Sequence, residues 1–407
     1  MLDMTTKIFF KMIPVNQPLI AKNALEYVSE CIKTGWISSG GSYVKKFEEE
    51  FARYLGINHA ITTTSGTSAL HLAIASLDIG QGDEVIIPAL TMIAVPYAVL
   101  YTGATPWLVD VDPEMFNIDP DKVHGFIKKQ CRYSRKEKIL INKITNKRVK
   151  GIIPVHLYGH PCPMKDIMTI AREYNLFVIE DAAEAHGALF RQKENKKRDS
   201  FVGTIGDIGC FSFYANKIIT TGEGGMVVTH KDQIAEKARR LKDLAHSPQK
   251  RFLHTDLAFN YRMTNLQAAV GLAQLEEINT FIEIKRKMAT TYQTLLEDVE
   301  GLTLPVEKIW ARNVYWMYAV LVERKFGLSR DELMRRLRED GVDTRTFFIP
   351  VHHQPVFQKT EYYKSLAFPV AEDVSRKGLY LPSGLALTHE QIERTCQSII
   401  NIKKNPS

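Results

Sequence analysis

Four short stretches of this 407-residue chain carry side chains at spacings that could do chemistry. The first is Thr62-Thr63-Thr64-Ser65-Gly66-Thr67-Ser68-Ala69-Leu70, a small-residue loop that opens a helical pattern. Backbone N–H groups and hydroxyls at a helix N-terminus bind phosphate, and the same residues also serve as an ordinary cap. The second, Val178-Ile179-Glu180-Asp181-Ala182-Ala183-Glu184-Ala185-His186-Gly187, puts Asp181 at the carboxyl end of an apolar strand. Open α/β sheets place ligand-binding groups there, and a helix N-cap is the alternative. The third is Ser212-Phe213-Tyr214-Ala215-Asn216-Lys217, followed by Thr220-Thr221-Gly222-Glu223-Gly224-Gly225. A lysine directly after an apolar strand is either paired, neutral or covalently engaged as in Schiff-base chemistry, or it reaches solvent from a turn. The fourth, Asn260-Tyr261-Arg262-Met263-Thr264-Asn265, precedes a long helix, and capping alone accounts for it.

The elements that position these residues read as α/β with a largely parallel sheet. Short Val/Ile-rich runs at 84–87, 106–110, 151–155, 176–180, 208–213 and 225–229 read as strands, with helical patterns at 67–76 and 164–173 between them. Residues 265–298 form one long helical pattern. Beyond about residue 300 the texture changes to WMYAVLV, a helical SRDELMRRLRED and a His/Pro/Phe-rich loop, which reads as a smaller α+β domain. The expected division is a large domain over 1–285, with an N-terminal arm at 1–30, and a small domain over 286–407.

None of the four stretches is decisive alone, but their order is. A phosphate loop, an acid after a strand, then Ser-x4-Lys with a Gly-rich turn resembles the DegT/DnrJ/EryC1/StrS family of nucleotide-sugar aminotransferases, pyridoxal-phosphate enzymes of aspartate aminotransferase fold (type I). The resemblance runs from about Ile13 to about Ile402, and EDAAEAHGA, SFYANKIITTGEGGMV, NYRMTN, TRTFFIPVHHQPVF and GLYLPSGLALT carry it. The similarity is greatest to the perosamine-type members. It implies that Lys217 is the Schiff-base lysine and proton shuttle and that Asp181 pairs with the pyridine nitrogen. Gly66, Thr67, Ser68 and Ser212 are implied around the phosphate, joined by Asn260 from a second subunit of a homodimer. Glu184 stands where many relatives hold Gln beside the phenolic oxygen, and Met92 where many stack an aromatic ring. Toward the substrate the resemblance implies His186, Arg345, Phe348 and His352, with core or loop packing as the alternative for each. No metal ligand is implied. The expected reaction joins L-glutamate with a GDP-linked 4-keto-6-deoxy sugar through pyridoxal 5'-phosphate and pyridoxamine 5'-phosphate. A dTDP- or UDP-linked sugar is the alternative, and a 3-dehydratase is disfavoured because those relatives replace the lysine by histidine.

Composition bounds these readings. Hydrophobic residues make up 45% and charged residues 24%, which excludes a disordered or collagen-like chain. Five cysteines without a CxxC pair argue against a disulfide framework or a structural zinc, and for a reducing cytoplasm. The net charge of +7 raises the question of nucleic acid. However, residues 128–150 carry +9 and residues 191–199 carry +3, leaving −5 for the rest. Both stretches read as solvent-facing insertions, without the aromatic interleaving of an RNA-binding face, so no nucleic-acid partner is expected. The charge-free run from Val85 to Val109 contains Pro88, Pro96, Gly103 and Pro106, so strand–loop–helix–strand fits it better than a membrane span. The N-terminus lacks the apolar stretch of a secretory signal.

Overall fold

The computed structural model describes residues 12–191, 199–250 and 252–405. Most of the second basic stretch, 191–199, and the first eleven residues of the expected arm lie outside them.

The central sheet runs in the order His59–Thr63, Gly225–Thr229, Ile208–Ser212, Phe177–Asp181, Arg148–Ile152, Asp83–Pro88 and Thr105–Val109. Adjacent strands from Ile208–Ser212 to Thr105–Val109 pair in parallel, while Gly225–Thr229 is antiparallel to both its neighbours. His59–Thr63 therefore runs the same way as the parallel set. The carboxyl ends of three strands, at Thr63, Asp181 and Ser212, consequently emerge along one edge, and all three functional loops start there. Several of these strands hold uninterrupted buried apolar stretches, such as Val85–Ile87 and Met226–Val228, of the kind parallel sheets require. The stretch from Val85 to Val109 is strand, helix Ala94–Tyr101 and strand. No helix among the described residues is long and apolar enough to cross a membrane.

The expected 265–298 helix is two helices, Asn265–Glu276 and Ile278–Leu296, because Glu277 leaves the helical region at φ −102° and ψ 6°. The second helix divides its buried face between two cores. Phe281 and Ile282 pack with the large sheet. Met288, Ala289, Tyr292 and Leu296 pack with the small antiparallel sheet built around Tyr318–Val322 and Gly378–Leu381. Ile13 also joins the small core and bridges to Val342.

The largest departure concerns residues 128–150, which are not a solvent-facing insertion. Cys131–Ser134 and Ile139–Asn142 form a hairpin whose second strand pairs with Arg148–Ile152 of the central sheet. Leu140 and Val149 are each 1% exposed, and the buried amide of Asn142 donates to Glu84 Oε2 at 2.8 Å. The expected strand at 151–155 begins earlier, at Arg148, and ends before Pro154, which has no N–H for a ladder. The run of cations hid this strand, because alternation puts Val149 inside while the Lys150 ammonium lies 3.5 Å from Asp83 Oδ2. Leu140→Ala should therefore cost about 2–4 kcal/mol in urea unfolding. Reversing the charges of exposed Arg135, Lys136 and Lys138 at the hairpin tip should move stability by no more than about 0.5 kcal/mol per site.

Candidate active site

The helix Gly66–Ser76 begins at the edge where the strands end. Ser65 caps it, accepting from the Ser68 N–H at 3.1 Å while Ser68 Oγ accepts from the Ser65 N–H at 2.8 Å. That reciprocal box orders the loop and leaves the first-turn N–H groups of Gly66 and Thr67 without intrahelical acceptors. Ser212 stands beside this helix start: a Cβ at Gly66 would lie 2.7 Å from the Ser212 Cβ. A Cβ at Gly225, the register partner of both Thr63 and Ser212, would meet the Ser65 carbonyl at 2.2 Å. Only glycine at these two positions lets the three segments close into one concave, N–H-rich cradle.

Asp181, 5% exposed, ends its strand with Oδ1 accepting the Ala183 N–H at 3.0 Å. Burial pushes its carboxyl up, and the Ala183 N–H and Lys217 oppose this. Three residues on, Glu184 is equally buried, and its Oε2 accepts the Tyr158 N–H at 2.8 Å. Glu184 Oε1 lies 3.7 Å from Lys217 Nζ. Burial raises the Glu184 carboxyl to about 7 against the pull of Lys217 and that N–H, and burial pushes the Lys217 ammonium down against Glu184 and Asp181. The result is an acid and an amine drawn toward each other's range inside a desolvated site, the condition for proton exchange at neutral pH.

Of the other residues singled out from sequence, Met92 lies on the loop after Asp83–Pro88 and is 48% exposed. His186 is 1% exposed and packs against Phe211 and Phe213 at 5.3 and 5.7 Å. Asn260 is exposed, and its side-chain oxygen accepts from Arg262 Nε at 3.0 Å, so its contacts within the chain do not reach the Lys217 cluster. Phe348 stacks on Tyr158 at 5.9 Å and so borders the Glu184 side of the site. Arg345 is exposed and donates to Asp343 at 2.6 Å. His352 is buried, with Nε2 3.0 Å from Glu372 Oε1, and His353 approaches the same oxygen at 3.9 Å.

Three contributors escaped the sequence reading. Tyr158 holds Glu184 from a left-handed backbone at φ 55°, a conformation that no motif announces. Trp316 places its ring 3.8 Å from Lys217 Nζ, yet in sequence it belongs to an ordinary apolar run. Glu180, on the face opposite Asp181, accepts from the N–H groups of Gly203, Ile205 and Gly206 at 2.9, 2.6 and 2.6 Å. Its Oε2 also takes a bond from His156 Nε2 at 3.1 Å. The Cys162 N–H donates to His156 Nδ1 at 2.9 Å, so the proton of that neutral ring sits on Nε2. Two consecutive acids in a buried strand were the available signal, since alternation sends them to opposite faces.

The donor set suits a phosphorylated pyridine aldehyde: N–H groups and hydroxyls for the phosphate, a buried carboxylate lacking a full cationic partner for the ring nitrogen, and a buried amine for the carbonyl carbon. Residues 18–400 match the model of the DegT/DnrJ/EryC1/StrS aminotransferase family. The chain belongs to this family. It is a pyridoxal-phosphate-dependent aminotransferase. GDP-perosamine synthase of Escherichia coli O157:H7 is 41% identical over 389 residues, spanning 96% of this chain and 98% of that protein. The enzyme of the same name from Caulobacter vibrioides is 40% identical, spanning 95% and 97%. In three dimensions the chain superposes on an aminotransferase from Psychrobacter cryohalolentis with TM-score 0.84 at 32% identity, covering 95% of this chain and 98% of that one.

The Glu184 carboxyl makes a testable claim about stability. Between its ordinary value of 4.5 and about 7, the folded chain keeps a proton that the unfolded chain has released. Stability therefore falls as pH rises through that window. In urea unfolding of the cofactor-free chain, Glu184→Gln should lose this slope while keeping the slopes of other groups.

Proposed function

We propose that this enzyme transfers the amino group of L-glutamate to the C4 carbonyl of GDP-4-keto-6-deoxy-D-mannose, giving GDP-perosamine and 2-oxoglutarate. The observation that carries the substrate is the 40–41% identity to two proteins named GDP-perosamine synthase, over nearly the whole length of each. Bound pyridoxal phosphate supplies an electron sink for a carbanion and carries the amino group between the two substrates. The chain supplies the rest. Gly66, Thr67, Ser68 and Ser212 hold the phosphate by N–H and hydroxyl donors. Asp181 keeps a proton on the ring nitrogen by offering it a buried carboxylate. Lys217 Nζ moves the proton to and from the reacting carbon, and Glu184, 3.7 Å away, balances its charge as it does so. Met92 covers one side of the ring with a thioether. Tyr158 and Phe348 wall the Glu184 side, while Arg345 and His352 lie on the C-terminal segment we assign to the sugar nucleotide.

We further assign the working form to a cytoplasmic homodimer in which Asn260 of a second copy completes the phosphate cradle. Exposed Leu25, Ile32 and Trp36 at 79%, 64% and 62%, with Leu257 at 94%, support burial against another copy. The five cysteines are all buried and free, which suits a reducing compartment. Large domain 1–285 and small domain 286–407 meet within the helix Ile278–Leu296 in this reading.

Mass spectrometry of products from GDP-, dTDP- and UDP-linked 4-keto-6-deoxy sugars with glutamate tests the substrate. A mass gain matching C4 amination of the GDP sugar is expected, and turnover confined to a dTDP or UDP sugar would reject the proposal. A dTDP-sugar transaminase of Streptomyces venezuelae at 33% identity makes that comparison worthwhile. Lys217→Ala should reduce turnover by at least about 10³-fold while the protein still binds the cofactor.

A further inference from the structure

Lys285 is 2% exposed on the helix Ile278–Leu296, and among the described residues its side-chain nitrogen is met by two carbonyls and no carboxylate. It donates to the Trp316 carbonyl at 2.8 Å and to the Ser383 carbonyl. Trp316 in turn donates from Nε1 to the Asn216 carbonyl at 2.7 Å, the peptide immediately before Lys217. Asn16 donates to the same carbonyl at 3.2 Å. The face of the Trp316 ring carries the Lys217 ammonium, 3.8 Å from the ring centroid. Lys217, Trp316, Lys285 and Ser383 line one small cavity. The peptide before Lys217 and the Lys217 side chain are therefore referred to the same indole, and the Trp316 backbone that bears it is tied down by a buried lysine.

A Schiff-base lysine is free during half of a transamination cycle, and it must then be stored without losing its place. Glu184 alone is a poor store, since its own carboxyl titrates near neutrality. An aromatic face attracts an ammonium without taking its proton, and does so more strongly when water is excluded. We propose that Trp316, buttressed by Lys285, is a positioning residue that seats the free Lys217 ammonium between its covalent engagements. The inference rests on the family's use of a lysine and is independent of which sugar is aminated. The charged and titratable groups facing Lys217 are Glu184 and Asp181, His186 and the buttressing Lys285. Only the indole favours the cation without itself titrating.

The test is competitive acetylation of Lys217 in the full chain loaded with pyridoxamine phosphate, followed by mass spectrometry across about pH 6 to about pH 10. The indole favours the ammonium, so Trp316→Leu should lower the labelling midpoint by about one pH unit, about tenfold in proton affinity. Trp316→Phe, which keeps a weaker ring face, should move it down by less. Burial lowers the Lys285 ammonium to about 7, so it carries little charge over most of this range; a downward shift in Lys285→Met supports the buttress, and an unchanged or upward one overturns it. An unchanged midpoint in a folded Trp316→Leu, judged by circular dichroism, overturns the seat. Should the leucine variant fail to fold, the phenylalanine variant decides by the same criterion. Because the readout follows one lysine rather than turnover, a failed sugar assignment leaves it intact.

Discussion

An ammonium and two carboxylates withdrawn from water within one small volume set the terms for the rest of the structure. Lys217, Glu184 and Asp181 each lose hydration, and each would discharge or leave the interior if the others were displaced. Their mutual attraction, two backbone N–H donors and an indole face offset that loss. Such groups tolerate little misplacement. The parallel sheet serves this purpose, because three strand ends at one edge fix the origins of the loops that bear them.

Close approach of backbone is the second requirement. Gly66 and Gly225 remove the Cβ atoms that would keep the helix start away from Ser212 and Thr63. Glu180 anchors the loop at 203–206 from beneath, with a neutral His156 completing its bonds. The polar interior is thus divided by strand alternation into a structural face and a reactive face. Trp316 and Ser383, on segments next to the small-sheet strands Tyr318–Val322 and Gly378–Leu381, line the cavity with Lys217, so the large sheet does not make the site alone. The helix Ile278–Leu296, whose face is shared between the two cores, carries the lysine that links them.

The charge of the protein acquires a local meaning in the same way. Residues 128–150 carry +9, spread over a helix end, a hairpin that extends the central sheet and the strand Arg148–Ile152, with cations outward of fully buried neighbours such as Leu140 and Val149. These positive charges sit on a structural element of the central sheet. An anionic substrate needs only a few cations near the site, which the net charge of the chain does not report.

The sequence by itself determined the chemistry and its order along the chain. Ser65 to Ser68, Asp181, Ser212 and Lys217 are recognisable because each follows an apolar strand at a fixed offset, and strand ends are local features of sequence. The strands at 84–87 and 225–229 were legible because each holds an unbroken apolar run, Val85–Ile87 and Met226–Val228. Arg148–Ile152 was not, because its cations mask an alternation that matters only once Val149 has a core to face. The division of 265–298 at Glu277 was equally hidden, since both halves keep helical periodicity and only packing on two cores sets the bend. Tyr158, Trp316 and Lys285 lay beyond sequence altogether. They reach the site from elements 59, 99 and 68 positions away from Lys217 in the numbering. What makes them functional is desolvation and distance, and those quantities exist only after the chain has folded.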